Sequence, residues 1–262
     1  MRPVVVAAFV LGFAPIASAQ TAPLPGLSTF ETTGFLTRAA FFLSLAPMKS
    51  DDARFAWDQR NRADVDLFGY AKGRVNLLLD VELVMGRERR EFDLNHGHIV
   101  METSSSHRLG PIDLGVVFHH HSAHLVDRPS DRVVAWHTLG PRGGYVFAGR
   151  QSTFAVNLEW LGVVQHTFVD YDWTSQLTLR FERTLPRGKR VFALGSGGFI
   201  GVDHTVPNRE RQIGGRAEGG VHFPIQRGAI DLFGAFERRV DGYPTSRQPS
   251  RWLEAGFRLA TR

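Results

Sequence analysis

Apolar and polar residues alternate along most of the chain. In the segment 75–85, the apolar residues Val75, Leu77, Leu79, Val81, Leu83 and Met85 alternate with the polar Asn76, Asp80 and Glu82. This period of two predicts a β-strand with one apolar face and one polar face. The pattern recurs over 154–160, 177–182, 216–223 and 230–237. The sequence therefore predicts an all-β chain.

The predicted connections between strands alternate in length. Short turns lie near 72–74, 108–110, 149–151, 185–188 and 226–228, and longer polar loops lie near 46–61, 86–95, 123–131, 164–171, 203–211 and 240–250. Strands of about ten residues with short turns at one end and long loops at the other are typical of bacterial outer-membrane barrels. We expect a closed antiparallel transmembrane β-barrel of about 12 strands over residues 34–262, with both chain ends in the periplasm. The least regular stretch is 131–150.

A soluble β-sandwich also alternates in this way, because one face of each sheet is apolar and the other is wet. Two features favour the membrane barrel. Acidic and basic residues occur together on the polar face, and Trp160, Trp173 and Trp252 lie near strand ends, where interfacial aromatic girdles are found. The last residues, 257–262, depart from the aromatic ending that is common in such barrels.

The N-terminal residues have the form of an export signal. One arginine precedes an apolar run over 4–14, and small residues at 17–19 follow. This pattern predicts a signal peptide over 1–19 and a periplasmic N-terminal segment over 20–33. No later stretch has the roughly 18–20 continuous apolar residues of a membrane helix. Because the chain has no cysteine, disulfides, thiolate nucleophiles and cysteine zinc sites are excluded.

The formal net charge of +5 indicates an anionic partner. For an exported chain we expect outer-membrane lipids and lipopolysaccharide, and no nucleic acid, in the bacterial cell outer membrane. Arginines of the predicted outer loops could bind lipopolysaccharide phosphates. Solvated loop charges are the simpler explanation, because the short turns at the opposite end are also basic. The loop arginines are Arg87, Arg89, Arg90, Arg128, Arg132, Arg209, Arg211, Arg238, Arg239 and Arg247.

The segment VVFHHHSAHLVD, residues 116–127, carries the candidate chemistry. Alternation places Leu114, Val116 and Phe118 on the lipid side, so His120, Ser122 and His124 follow on that face just beyond the apolar band. His119 and His121 then point inward. Because residues i and i+2 share a face, the imidazole of His120 could take the proton of the Ser122 hydroxyl.

This arrangement resembles the His-x-Ser sites of outer-membrane phospholipase A and the lipid A deacylases. The resemblance implies an acyl-ester hydrolase for phospholipid or lipid A, with His120 as general base and Ser122 as nucleophile. A third, orienting group is expected on the next strand or loop, where Asp127 or Asp131 could serve, although neither lies at the spacing of those families. No cofactor is certain, and Ca²⁺ and Zn²⁺ are the ions that we consider.

The wider string HHSAHLVD, residues 120–127, resembles the signature of an uncharacterised bacterial outer-membrane barrel family, close to HQSSHLGDE. That family has no established activity, so the resemblance bears on the fold. The matching residues are His120, Ser122, His124, Leu125 and Asp127, and the departures are His121, Ala123, Val126 and Arg128.

A second interpretation of the histidines is a metal site. If Ile99 and Met101 face lipid, His96 and His98 face the lumen near His119 and His121, and four imidazoles there could hold Zn²⁺. A hydrated histidine cluster is the simpler alternative. Under this second interpretation, with or without a bound metal, the protein is a non-enzymatic barrel, either a small-solute channel or a structural protein.

The polar face of the predicted strands supplies the lumen with charges that must pair or stay wet. They form either a hydrogen-bonded plug or the wall of a slim pore. The predicted lumenal charges are Asp64, Asp66, Asp80, Glu82, Glu159, Arg180, Glu182, Arg216, Glu218, Asp231, Glu237, Glu254 and Arg258.

Overall fold

The computed structural model describes residues 33–129, 132–202 and 212–261. They form a closed antiparallel barrel of twelve strands, which confirms the predicted fold class. The strands are β1 (Gly34–Lys49), β2 (Trp57–Tyr70), β3 (Gly73–Gly86), β4 (Asp93–Leu109), β5 (Ile112–Leu125), β6 (Val134–Ala148), β7 (Ser152–Thr167), β8 (Tyr171–Thr184), β9 (Arg190–Val202), β10 (Ile213–Ile225), β11 (Gly228–Arg239) and β12 (Ser250–Thr261). A short 3-10 helix, Pro186–Gly188, joins β8 to β9.

The barrel closes between its first and last strands. Each strand pairs with its neighbours in sequence, and β1 pairs with β12 from Phe42 opposite Ala260 to Lys49 opposite Leu253. Because no strand is left at an edge, the backbone N–H and C=O groups of the wall bond to one another. Most of the predicted signal peptide and periplasmic segment, residues 1–32, lies outside the described residues.

The connections differ at the two ends, as the sequence predicts. Short turns at 71–72, 110–111, 149–151, 185–189 and 226–227 lie at one end, and the connections at 50–56, 87–92 and 240–249 lie at the other. Residues 203–211 fall outside the described part. The expected long loop near 164–171 is only the three residues 168–170, because β7 continues to Thr167.

The irregular stretch 131–150 contains one strand, β6, which runs through the Gly-Pro-Arg-Gly-Gly sequence. Pairing with β7 is interrupted between Leu139 and Arg142, where Pro141 has no N–H to donate. A Cβ on Gly140 would lie 2.2 Å from the carbonyl oxygen of Trp160. Only glycine therefore allows β6 and β7 to approach so closely here.

The outer face of the barrel is apolar. Leu79, Leu114 and Val116 are exposed, whereas their inward neighbours Leu78, Asp80 and Val117 are buried. This alternation gives the barrel a hydrocarbon-facing belt. Among the described residues, no helix is long and apolar enough to cross a membrane.

Two of the three tryptophans that were predicted at the interface face outward. Trp160 and Trp173 are 63% and 39% exposed, but Trp252 is 3% exposed, so that prediction was wrong for Trp252. Trp252 lies opposite Glu237, whose position faces the lumen. It stacks on Phe55, with ring centroids 5.2 Å apart, in an apolar cluster that also contains Met48 and Val84.

The lumen is crossed by arginine–carboxylate pairs. Arg216 binds Glu218 and Glu237 at 2.7 and 3.0 Å, and also pairs with Glu254. Two further pairs join Arg239 to Glu82 and Glu237, at 2.6 and 2.8 Å. The predicted lumenal acids are therefore largely paired. Arg239, which was expected in an outer loop, is instead a buried residue of β11, and its prediction as a lipopolysaccharide contact was wrong.

A charge on the outer belt should cost most at its centre. We expect Leu79→Arg, in the middle of β3, to lower the free energy of unfolding from lipid vesicles by about 2–4 kcal/mol. The control Leu109→Arg, exposed at the end of β4, should cost about 0–1 kcal/mol because it lies near the interface. Equilibrium unfolding by denaturant in vesicles measures both values. Equal costs would contradict the assignment of this surface to lipid.

Candidate functional site

The lipid-facing surface of β5 and β6 carries a group of polar side chains. His120 lies between its cross-strand partners Met101 on β4 and His137 on β6. Met101 is exposed on the outer surface, which fixes the face on which His120 and His137 lie. The ring of Phe118 packs against the His137 ring, with centroids 5.7 Å apart. Polar and apolar side chains thus meet at one place on the outer wall.

Hydrogen bonds join three of these polar side chains in a row. His137 Nδ1 lies 3.3 Å from Gln165 Oε1, and His137 Nε2 lies 2.6 Å from His120 Nδ1. Since an amide oxygen only accepts, His137 Nδ1 carries the proton and donates it to Gln165. Neutral His137 then accepts at Nε2, and His120 donates from Nδ1. The Nε2 of His120 is left with its lone pair free, as a general base requires.

A β-bulge brings Gln165 to this surface. Thr138 pairs with Val163, but His137 pairs with Gln165, so Val164 is an extra residue on β7. Strict alternation from Val163 would place Gln165 in the lumen. The extra residue turns it outward, next to His137. Sequence patterning assumed unbroken alternation and therefore missed Gln165. It missed His137 because alternation does not give the register between β5 and β6.

Ser122 lies on the same outer face as His120, two residues further along β5. Its cross-strand partners are Ile99 and Ala135, and it is 8% exposed. The structure brings Ser122 and His120 to one surface, and the described hydrogen bonds do not join them.

Of the two aspartates considered as orienting groups, the structure describes Asp127, which lies away from His120. Asp127 is in the loop after β5, with a positive φ of 53°, and its carboxylate lies 3.5 Å from the guanidinium of Arg90. Its backbone oxygen accepts a hydrogen bond of 2.8 Å from Arg89. Asp131 lies outside the described residues. Among the described side chains it is His137, on β6, that contacts His120.

The inward histidines of β5 belong to the lumenal network. His119 Nε2 lies 3.0 Å from Glu102 Oε2, and Arg142 binds Glu102 and Glu159 at 2.6 Å each. His121 stacks on Trp136, with ring centroids 4.7 Å apart and planes 5° from parallel. His119 and His121 therefore have different neighbours, one ionic and the other aromatic.

His96 and His98 lie inside the barrel at the outer end of β4. Their rings meet edge to face at 5.2 Å, and His96 also contacts the rings of Phe55 and Tyr243 at 5.4 and 5.3 Å. Within the described residues, no three histidine, aspartate or glutamate side chains come together in a way that could hold a metal ion. The predicted set of His96, His98, His119 and His121 offers no such group, so we derive no step through Zn²⁺ or Ca²⁺.

Comparison with solved structures supports the fold. The Escherichia coli outer membrane phospholipase A has a TM-score of 0.53 and 11% identity, with 86% of this chain and 97% of that chain covered. The Salmonella typhi outer membrane phospholipase, described as a dimer with bound calcium, has a TM-score of 0.51 and 10% identity, with 87% and 92% covered. Identity this low shows a shared fold alone.

No protein-family model matches the sequence. No curated protein matches it either. The likeness of residues 120–127 to an HQSSHLGDE-like signature therefore stays a prediction. The closed barrel, its apolar belt and its neighbours place the protein in the bacterial outer membrane.

The histidine pair has a spectroscopic test. We expect the ring nitrogen NMR shifts of His120 in detergent micelles to show a proton on Nδ1 and none on Nε2 at a pH where both rings are neutral. In His137→Ala this preference should be lost, because Nδ1 no longer has its acceptor. His166→Ala, an exposed histidine on β7, is the control and should leave the His120 signals unchanged. A His120 tautomer that is insensitive to His137 would contradict the bond.

Proposed function

We propose that the protein is an outer-membrane acyl-ester hydrolase that acts on phospholipid or lipid A. His120 is the general base, Ser122 is the nucleophile, and His137 is a positioning residue. The observation that carries the proposal is the row of bonds from Gln165 through His137 to His120. It holds the base in the tautomer that can accept a proton from a serine on the same face.

The reaction uses the two outward residues of β5 in turn. His120 Nε2 takes the hydroxyl proton of Ser122 as Oγ attacks the ester carbonyl carbon. The C–O bond to the glycerol or sugar breaks, and the leaving oxygen receives the proton from His120. Water then attacks the acyl-serine, gives a proton to His120 and releases the fatty acid, and the proton returns to Ser122 Oγ.

The placement of the pair favours a lipid substrate over a soluble ester. Met101 and Phe118 flank His120 on the exposed apolar surface, where acyl chains can lie against the wall. An ester bond sits at the boundary between acyl chains and head group, which is the level at which an apolar belt gives way to polar side chains. The fold shared with phospholipases is compatible with this chemistry.

His137 acts on the reaction only through His120. Its Nε2 accepts the hydrogen bond from His120 Nδ1, which fixes the His120 tautomer. The same bond stabilises the imidazolium that forms when His120 takes the serine proton. A neutral histidine provides less charge stabilisation than a carboxylate would. We therefore expect a role in orientation, with Gln165 fixing the tautomer of His137 in turn.

Release of fatty acid from labelled phospholipid and lipid A tests the proposal. We expect the refolded protein to release fatty acid with or without added Ca²⁺, Ser122→Ala to abolish release, and His120→Ala to lower the rate by about 10²–10⁴-fold. The control Ser105→Ala removes another outward serine, on β4, and should keep full activity. If the unsubstituted protein releases nothing, or Ser122→Ala equals it, the proposal fails and a non-enzymatic barrel remains.

The pH profile of the hydrolysis rate distinguishes a positioning role of His137 from a purely structural role. A wrong base tautomer costs about 10⁴-fold in a serine protease, and we expect a smaller loss of about 10–100-fold in kcat for His137→Ala, because His120 still samples the useful tautomer. His137→Gln, which can still accept a hydrogen bond, should recover part of the rate. The rate of His137→Ala should also depend differently on pH. An unchanged profile with a proportionate loss of folded protein would contradict positioning.

A further inference from the structure

Arg62 is a buried arginine of β2 with no hydrogen-bond partner among the described residues. It is 3% exposed, and its Nε, Nη1 and Nη2 atoms all lack a partner. The residue opposite it on β3 is Asp80, whose carboxylate Oδ1 lies 3.6 Å from Nε of Arg60. A buried guanidinium without partners is costly, because its five N–H donors lose their water on burial.

The other arginines of the lumen contrast with Arg62. Arg142, Arg216 and Arg239 each bind two or more carboxylates at hydrogen-bond distance. The lumen therefore supplies acids wherever these guanidinium groups lie. Arg62 makes no such bond, although Asp80 lies opposite it on β3, and a cavity lies beside its side chain.

This cavity has a volume of about 110 Å³ and lies in the outer half of the barrel. Its wall includes Arg62, His98 and His121, together with the carboxylates Asp80, Glu102 and Glu159, of which Glu102 and Glu159 are already bound by Arg142. Nδ1 of His121 also lacks a hydrogen-bond partner among the described residues. Arg62 and His121 of the same wall thus present unused polar atoms to one space.

Arg62 also lines a second, smaller cavity toward the inner half of the barrel, together with Arg216, Arg258 and the carboxylates Asp58 and Glu218. Its guanidinium therefore lies between two spaces within the lumen. A cation is disfavoured beside it. A planar guanidinium with all donors free matches the two oxygens of a carboxylate or phosphate, and neutral imidazoles can add N–H donors.

We propose that the outer lumenal cavity binds one small oxyanion, a carboxylate or a phosphate, and that Arg62 is its anchor. The space is large enough for several water molecules or for one such anion. The site lies on the opposite side of the barrel wall from His120 and Ser122. It is therefore independent of the proposed hydrolase activity.

Titration of the full refolded chain in detergent micelles with inorganic phosphate, and separately with acetate, tests the proposal. We expect one calorimetric binding site, and broadening of the phosphorus NMR signal in the phosphate arm. Arg62→Gln should weaken binding about 10–100-fold, because a charge-assisted contact is lost. Arg62→Lys keeps the charge and should bind with intermediate affinity. Arg150→Gln, an exposed arginine of the β6–β7 turn, should bind as the unsubstituted protein does.

The two anion arms distinguish the ligand, since binding of phosphate alone indicates a phosphate site and binding of both indicates a general oxyanion site. The proposal is overturned if neither anion binds the unsubstituted protein, which would leave water as the occupant. It is also overturned if Arg62→Gln or Arg62→Lys binds as tightly as the unsubstituted protein. Should Arg62→Gln fail to fold, Arg62→Lys provides the comparison.

Discussion

Satisfying every backbone hydrogen bond inside the wall is the constraint on which this structure depends. A bilayer core offers no water to an open strand edge, so β1 must meet β12 and every strand must run in register with two neighbours. Once the ladder is closed, side chains can only alternate between lipid and lumen. The face of each residue, and so its chemistry, follows from its position in the ladder.

Polar side chains find their partners differently on the lumenal and the lipid-facing side of the barrel wall. Inside, acids are held by arginines such as Arg142 and Arg216, and breaking one such pair leaves a buried charge, which is more costly than never having the pair. Outside, His120, His137 and Gln165 satisfy one another in a short neutral row. Neutral partners suit a surface next to hydrocarbon, because no net charge is exposed there.

Much of the fold and part of the site follow from the sequence, because both depend on a period of two. The strand number, the exposed apolar belt and the facing of His119, His120 and His121 come from alternation alone. The partner of His120 does not, since the length of the β5–β6 connection sets the register that places His137 opposite it. Trp252 was misplaced because an aromatic near a strand end can face either side.

The extra residue Val164 ties the outer site to strand length. Because it sits between Val163 and Gln165, it changes the phase of the last few residues of β7 while the rest of the strand keeps its facing. Without the bulge, Val164 itself would pair with His137 and Gln165 would face the lumen. Loss of Val164 would instead leave Gln165 directly after Val163, still on the outer face beside His137. In related barrels, a one-residue gap at this point would therefore leave the oriented histidine pair in place, with a regular ladder where this chain has a bulge.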